Sequence, residues 1–174
     1  VARDDRLQGY HAETETAYRY TEYTYDQGGR ITAFAEISQN TQPTADDIEA
    51  HQIRYTYNED GNLSKVSYPT TKDGIQSLSY IYDENGWLQE IEGELHSKGQ
   101  TTEKVLRSYT YDTFGRLVKT VTTDYKKNDQ TKTITYTYDN VGNRLKEDDG
   151  TTTTSYTYNG LDQLKTSTKK KELR

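Results

Sequence analysis

The sequence has no cysteine, no methionine, only two prolines and two phenylalanines, and few aliphatic residues for its length of 174. Without cysteine there is no disulfide framework and no thiolate metal site. Leu, Ile, Val and Phe together supply 27 residues, under one fifth of the chain, which is ordinarily typical of disorder. No apolar run approaches the length of a membrane helix, and no segment has the features of a signal peptide. The chain begins at Val1, from which we expect a processed product or an excised piece.

Charge and motif content argue against several classes of function. The net charge is −6 and no basic stripe runs along the chain, so nucleic acid is not an expected partner. No Gly-x-Ser-x-Gly, His-Glu-x-x-His or phosphate-loop motif is present, and we expect no enzymatic activity, no cofactor and no catalytic residue. The histidines, His11, His51 and His96, lack ligand spacing. Residues 58–62 resemble part of a calcium loop without its closing glutamate, so no metal is expected.

The chain is rich in tyrosine, with 17 residues, most of them in a motif that occurs six times. Each copy reads Tyr-x-Tyr, then Asp or Asn, two variable residues and a glycine. The first tyrosines of the copies are Tyr23, Tyr55, Tyr80, Tyr109, Tyr136 and Tyr156. A fixed motif at a loose period indicates a repeat architecture, and its regularity favours order over disorder, with a thin core. The fifth copy carries one extra residue after its glycine, and the sixth has Asp162 in place of glycine.

Each copy predicts one β-hairpin. The two tyrosines lie on one face of a strand, and the threonine between them faces the other way, because side chains alternate along a strand. Asp or Asn begins a type I turn, and a left-handed glycine such as Gly115 closes the hairpin with a bulge. The residues expected to build the hairpins are Tyr25, Asp26, Gly29, Tyr57, Asn58, Gly61, Tyr82, Asp83, Gly86, Tyr111, Asp112, Gly115, Tyr138, Asp139, Gly142, Tyr158 and Asn159.

The order of these segments predicts an all-β fold. Residues 1–22 are expected to be lead-in strands, the tail of an upstream repeat, and residues 23–174 six hairpin repeats with an uncapped C-terminal end. Thr44 is expected to cap a short helix over Ala45–Ala50. Residues 116–126 are predicted to form one strand, and Lys169–Lys171 a solvated tail. The whole is predicted to be an antiparallel β-hairpin meander of about a dozen strands, in an open sheet that curls.

The motif resembles the YD repeat of the Rhs family, which includes teneurins, the C subunits of insecticidal toxin complexes and cell-wall-associated bacterial proteins. The residues that carry the resemblance are Tyr25-Asp26 with Gly29-Arg30, Tyr57-Asn58 with Gly61, Tyr82-Asp83 with Gly86, Tyr111-Asp112 with Gly115-Arg116-Leu117, and Tyr138-Asp139 with Gly142-Asn143-Arg144-Leu145. The resemblance implies a segment of a spiral shell, secreted or on the cell surface, with the bacterial cell wall favoured. Such a non-enzymatic wall is expected to contact neighbouring repeats and to enclose or display another part of its parent, such as a C-terminal toxin. No match to the family's aspartyl self-cleavage segment is found.

Two other functions remain open at this point. Exposed tyrosines or Trp87 would suit a glycan-binding or adhesion module, because amphipathic rings can stack on sugars. Alternatively, open sheet edges would allow a surface protein to self-associate. Tyrosine rings packed between hairpins favour the wall, whereas exposed rings favour glycan binding.

Overall fold

The computed structural model describes residues 9–14, 17–70 and 73–171, and in these ranges the chain forms thirteen strands, one α-helix and one 3-10 turn. The strands are β1 (Gly9–Thr14), β2 (Ala17–Tyr25), β3 (Ile31–Gln39), β4 (Ile53–Tyr57), β5 (Leu63–Ser67), β6 (Gly74–Tyr82), β7 (Leu88–Ser97), β8 (Gln100–Tyr111), β9 (Leu117–Asp124), β10 (Gln130–Tyr138), β11 (Arg144–Asp148), β12 (Thr152–Tyr158) and β13 (Leu164–Lys171). They follow one another in sequence order across one open sheet. The predicted all-β antiparallel meander is confirmed, and its curl stays a prediction.

The described chain divides into two compact units. The first comprises the described residues up to Tyr80 together with Gly93–Lys104, and the second comprises Ile81–Glu92 together with the described residues from Val105 onward. The buried apolar side chains all lie in the first unit and are Ala33, Ala35, Ile37, Val66 and Leu95. No described residue of the second unit is fully buried. The structure therefore has the thin core that the composition predicts.

Side chains alternate along the motif strands as predicted. In β4, Tyr55 and Tyr57 are half-buried, and Thr56 between them is exposed. The equivalent threonines of later copies, Thr110, Thr137 and Thr157, are exposed as well. In these hairpins the tyrosine face therefore carries the packing, while the threonine between the tyrosines meets solvent. In the first hairpin, however, Thr24 is half-buried and pairs with the buried Ala33, so its threonine face packs as well.

The turn of the β8–β9 hairpin has the predicted geometry. The Gly115 N–H donates to the carbonyl of Asp112 at 3.0 Å, and the Asp112 N–H donates to the carbonyl of Arg116 at 2.9 Å. Gly115 has φ +77°, so its predicted left-handed conformation is confirmed. The same two hydrogen bonds close all six motif turns, at residues 26–30, 58–62, 83–87, 112–116, 139–143 and 159–163. One turn type therefore serves every copy.

The fifth and sixth copies keep this turn despite their different sequences. Tyr138 pairs with Arg144 just as the equivalent tyrosine of the fourth copy pairs with Leu117. The apparent extra residue is therefore not an insertion in the turn. Arg144 takes the position that Leu117 has in the fourth copy, and Leu145, 41% exposed, lies at the register shift. In the sixth copy Asp162 has φ +57°, a left-handed conformation that aspartate adopts more readily than most residues other than glycine.

The predicted helix is confirmed, with bounds Ala45–Ala50. The Thr44 hydroxyl accepts from the Asp47 N–H at 3.2 Å, and the Asp47 carboxylate accepts from the Thr44 N–H at 2.8 Å. This reciprocal pair is a capping box, which satisfies two backbone donors that the helix cannot satisfy itself.

One predicted boundary is wrong. The strand expected over residues 116–126 ends at Asp124, because the Asp124 carboxylate accepts from the Lys126 N–H and begins a 3-10 turn at Tyr125–Lys127. The side chains of residues 169–171 are exposed, as predicted for a solvated end, and their backbone belongs to β13, where it pairs with residues 152–154. Of the predicted lead-in, β1 and the first part of β2 are described, the rest lies outside the described residues, and the division at residue 22 stays a prediction.

Alanine substitution at two turn glycines with the same backbone conformation is expected to differ in cost. Gly86 and Gly115 have φ of +78° and +77°, so left-handed strain should cost either variant about 1–2 kcal/mol. A Cβ on Gly115 would lie 2.7 Å from Cζ2 of Trp87, whereas a Cβ on Gly86 meets nothing within 4 Å. We expect a lower denaturation midpoint for Gly115→Ala than for Gly86→Ala, and we expect Trp87→Ala to remove the difference. Equal midpoints in the native background would contradict this packing.

Candidate functional site: the links between successive hairpins

The predicted motif residues occupy three places in each hairpin. The second tyrosine ends the outgoing strand, the acid or amide opens the turn, and the glycine closes it. The residue that follows the glycine was predicted as a site residue only in the third copy, where it is Trp87, the possible glycan contact. It nevertheless contacts the next hairpin in several copies, so it belongs to the same site.

The second tyrosine links a hairpin to the one before it. The Tyr57 hydroxyl donates to the carbonyl of Ile31 at 2.8 Å. The same hydrogen bond recurs, at 2.7–2.9 Å, from Tyr111 to Leu88, from Tyr138 to Leu117 and from Tyr158 to Arg144. Three of these acceptor residues, Ile31, Leu117 and Arg144, pair with the motif tyrosine of their own hairpin at a register shift. A β-bulge interrupts the strand ladder there, so the tyrosine of the next hairpin satisfies a carbonyl that lies beside the interruption.

The residue after the glycine links a hairpin to the one that follows. Nε of Arg116 donates to the Asp112 carboxylate of its own turn at 2.7 Å, and Nη1 donates to the carbonyl of Asp139 in the next turn at 2.8 Å. The guanidinium also lies 5.0 Å from the centre of the Tyr138 ring. Arg30 makes the same cation–π contact with Tyr57 at 4.5 Å. A planar guanidinium suits both contacts, because it donates in a fork and stacks on aromatic faces.

Two copies make the forward link with other side chains. Trp87 replaces arginine in the third copy, and its ring lies 5.5 Å from the ring of Tyr111. Asn143 replaces arginine in the fifth copy, where its amide donates to Asp139 of its own turn at 3.0 Å and to Asp162 of the next turn at 2.8 Å. The aspartate that replaces glycine in the sixth copy therefore has a partner in the preceding hairpin.

Hydrogen bonds favour the ionised form of three turn carboxyls, those of Asp26, Asp112 and Asp139. The backbone N–H of Arg30 and then its guanidinium lower the pKa of Asp26 below its usual value. Burial raises the pKa of Asp112 and of Asp139, but hydrogen bonds from their own turns outweigh it, and the pKa of each carboxyl is lowered. Burial also raises the pKa of Tyr111 and Tyr138, so both hydroxyls remain protonated donors. The site is thus built for cohesion, with its polar groups engaged by the protein itself.

The remaining candidate residues do not converge. His51 contacts the carbonyl of Asp47 through Nδ1 at 2.7 Å, His96 lies half-buried in β7, and the side chain of His11 lies outside the described residues. Asn58 and Gly61 serve the second turn. Among the described residues, no three His, Cys, Asp or Glu side chains gather as a metal site would require. The glycan contact assigned to Trp87 stays a prediction.

Comparison with known proteins identifies the class. The repeated hairpins and the links between them define a structural repeat module, and the family model of the teneurin YD-shell matches residues 5–172. The chain belongs to this family and is a shell module. No curated protein matches it.

Solved structures of Tc toxin proteins are similar to the chain. A Photorhabdus luminescens Tc holotoxin pore matches at 18% identity and a TM-score of 0.43, and TcdB2–TccC3 without its hypervariable C-terminal region matches at 18% identity and 0.44. Each match covers 86% of this chain and 9% of the other. Within the part of the chain that the structure describes, no helix is long and apolar enough to cross a membrane.

Removing the hydroxyl that links two hairpins is expected to cost more than removing one that links none. Tyr138→Phe leaves the Leu117 carbonyl without its donor, which should lower the free energy of unfolding by about 0.5–1.5 kcal/mol. Tyr136, on the same face of the same strand, makes no hydrogen bond among the described residues through its hydroxyl, so Tyr136→Phe serves as the control. Urea unfolding of the two variants measures the difference, and equal losses would contradict the link.

Acid is expected to loosen the turns. Because folding lowers the pKa of Asp112, its ionised form stabilises the fold above the unfolded-state pKa, and this stability is lost as pH falls through the folded-state pKa. The thermal midpoint should therefore hold from neutral pH down to about pH 5 and fall below about pH 4. Asp112→Asn keeps an acceptor oxygen for the turn, as at Asn58, but has no charge to lose. Its midpoint should fall less steeply with acid, and an unchanged slope would contradict the assignment.

Proposed function

We propose that this chain is a non-catalytic segment of a shell wall that encloses or displays another part of its parent protein, such as a C-terminal toxin domain. The observation that carries the proposal is the recurring hydrogen bond from a tyrosine hydroxyl to the preceding hairpin, which couples four of the hairpins to the hairpin before them. A wall needs this local, repeated coupling, because each repeat of an array is stabilised mainly by its neighbours. Membership of the teneurin YD-shell family supports the same role.

The non-catalytic part of the proposal is supported by what the polar side chains do. Asp112 binds its own turn and Arg116, and Asp139 binds its own turn and Asn143. Asp149 accepts from the N–H groups of residues 151 and 152 and forms an ion pair with Lys132 at 3.2 Å. The hydrogen-bonding groups of these side chains are engaged by the protein's own backbone and neighbouring residues, whereas a catalytic group must be available to a substrate.

Exposed apolar residues at the turns support contact with another part of the parent. Phe114, Val141 and Leu161 occupy the same position in three consecutive hairpins and are 80%, 72% and 78% exposed. A row of apolar side chains on a surface is typical of an interaction site. We infer that the end of the sheet formed by these turns is covered in the complete protein. We place that protein outside the cell, either secreted or on a cell surface such as the bacterial cell wall.

Self-association through the sheet edges is a less favoured alternative. β13 is exposed along its whole length and carries Lys165 and Lys169–Lys171. Lysines on an edge strand hinder pairing with a second copy, because like charges would face each other across the new pair.

The test uses the parent protein with its wall loosened in three places. Tyr57→Phe, Tyr111→Phe and Tyr138→Phe together remove three links between hairpins while keeping every ring. If the wall encloses another segment, limited proteolysis should spare that segment in the native parent and digest it in the triple variant.

The control variant carries phenylalanine at Tyr55, Tyr109 and Tyr136, whose hydroxyls make no hydrogen bond among the described residues. It should protect the enclosed segment nearly as well as the native protein. Digestion of the segment at the same rate in native and both variant proteins would contradict enclosure. Turnover of a peptide, ester or glycan by the native chain would contradict the non-catalytic assignment.

A further inference from the structure

The turn of the sixth copy begins with an asparagine that is followed by a glycine, Asn159-Gly160. This pair of residues is chemically reactive, because glycine has no side chain to hinder an attack by its own backbone nitrogen on Cγ of the asparagine. The attack closes a five-membered ring and expels the side-chain amide. The sequence contains a second pair of this kind, Asn85-Gly86 in the third turn, and both pairs are exposed. The environment of each pair therefore decides which of them reacts.

The attacking nitrogen is free in the sixth turn and engaged in the third. Asn159 opens its turn, and the N–H of Gly160 makes no hydrogen bond to any described residue. Asn85 lies two residues further into its own turn, so the N–H of Gly86 closes that turn by donating to the carbonyl of Asp83 at 2.9 Å. This hydrogen bond opposes both the deprotonation of the nitrogen and its rotation toward a side chain. Only Gly160 therefore presents an unengaged nucleophile.

The sixth turn also binds the oxygen on which negative charge develops during the attack. Oδ1 of Asn159 accepts from the N–H groups of Leu161 and Gln163, both at 3.0 Å. When a nitrogen adds to Cγ, this oxygen becomes an oxyanion, and backbone N–H groups that already point at it stabilise the transition state. The side chain of Asn85 makes no hydrogen bond within the described part of the chain. The sixth turn alone thus combines the reactive pair with two oxyanion donors.

A third hydrogen bond holds the amide that is to leave. Nδ2 of Asn159 donates to Oε1 of Gln163 at 2.9 Å. Both polar atoms of the Asn159 side chain are therefore fixed by the turn, and Cγ does not have to search among rotamers for a reactive orientation.

We propose that Asn159 converts itself to aspartate in the folded chain. Hydroxide or water removes the proton of the Gly160 N–H, the nitrogen forms a bond to Cγ, and Nδ2 takes a proton from water and leaves as ammonia. A water molecule then adds to the cyclic imide and opens it to the acid. One water is consumed and one ammonia is released, and the chain, whose net charge is −6, gains one negative charge. This modification goes beyond the wall function and does not depend on what the wall encloses.

The turn is suited to the aspartate that forms. Asp139 has the same position in the fifth copy, where its Oδ1 accepts from the N–H groups of Val141 and Asn143 at 3.0 and 2.8 Å. The amide of Gln163 needs only to turn over to donate to the new carboxylate, as the amide of Asn143 donates to Asp139 at 3.0 Å. Opening of the imide in the other direction would give isoaspartate, whose main chain runs through the side-chain carbon and leaves these two N–H groups without their acceptor. The folded turn therefore favours aspartate as the product.

Peptide mapping by mass spectrometry follows the conversion of amide to acid at each asparagine while the full chain is incubated at mildly alkaline pH. We expect Asn159 to convert at least about tenfold faster than Asn85 in the folded chain, because only Asn159 has oxyanion donors. In concentrated urea the two rates should lie within about threefold of each other, because the turns that distinguish the pairs are lost. Asn58 opens the second turn but precedes Glu59, so it should keep its amide.

Two outcomes of this experiment would overturn the proposal. One is an amide that persists at Asn159 in the folded chain. The other is conversion of Asn85 at the same rate as Asn159, or faster, before urea is added.

Gly160→Ala tests the attacking nitrogen. A Cβ at this position meets nothing within 4 Å, and Gly160 does not have a positive φ, so the variant should fold with a native unfolding midpoint. Its methyl group hinders the approach of the nitrogen to Cγ, and conversion of Asn159 should slow at least about tenfold. Leu161→Ala is the matched control, because it shortens an exposed side chain but keeps the N–H that binds Oδ1. Conversion at the native rate in folded Gly160→Ala, or equal slowing in both variants, would overturn the role of Gly160.

Asn159→Asp supplies the product directly. The converted chain should elute with this variant on anion exchange, and both should unfold at the native midpoint. An enzymatic assay for isoaspartate measures the other product. Isoaspartate as the main product in the folded chain would overturn the claim that the turn directs conversion to aspartate.

Discussion

The structure depends on a hydrogen bond between a tyrosine hydroxyl and a carbonyl of the preceding hairpin. An isolated two-stranded hairpin is marginal in water, and this chain has too few aliphatic residues to bury each hairpin in a common core. The tyrosine supplies the missing cohesion in two ways, because its ring packs on the neighbour while its hydroxyl satisfies a carbonyl beside the bulge. The bulge and the tyrosine are thus parts of one joint.

The turn supports this joint from the other side. Asp or Asn at the turn fixes the backbone, so that the residue after the glycine projects toward the next hairpin. Arg30, Trp87, Arg116 and Asn143 all occupy that position, and they reach forward through cation–π, aromatic or amide contacts. At these four junctions between hairpins the backward link from the tyrosine is constant, and the chemistry of the forward link varies.

Local features of the fold could be predicted from the sequence. The left-handed Gly115, the outward-facing Thr110 and the cap at Thr44 follow from the conformational preferences of a few adjacent residues. The turn also forms at Asp162 without a glycine, but the side chain that binds its carboxylate, Asn143, lies 19 residues away and cannot be found from the turn sequence. The roles of Tyr138 and Trp87 likewise depend on a neighbouring hairpin, and motif spacing alone carries no such information. The one available signal was the constant position of the second tyrosine, which packing alone does not require.

Amide hydrogen exchange in the native state tests the central claim most directly. The account predicts that Tyr138→Phe speeds exchange in the β9–β10 pair, where the fourth hairpin meets the fifth, and leaves the distant β2–β3 hairpin unchanged. Tyr136→Phe should leave both regions close to native. Exchange that is unchanged in the β9–β10 pair, or that rises equally in the β9–β10 pair and the β2–β3 hairpin, would contradict the claim that the second tyrosine joins a hairpin to the one before it.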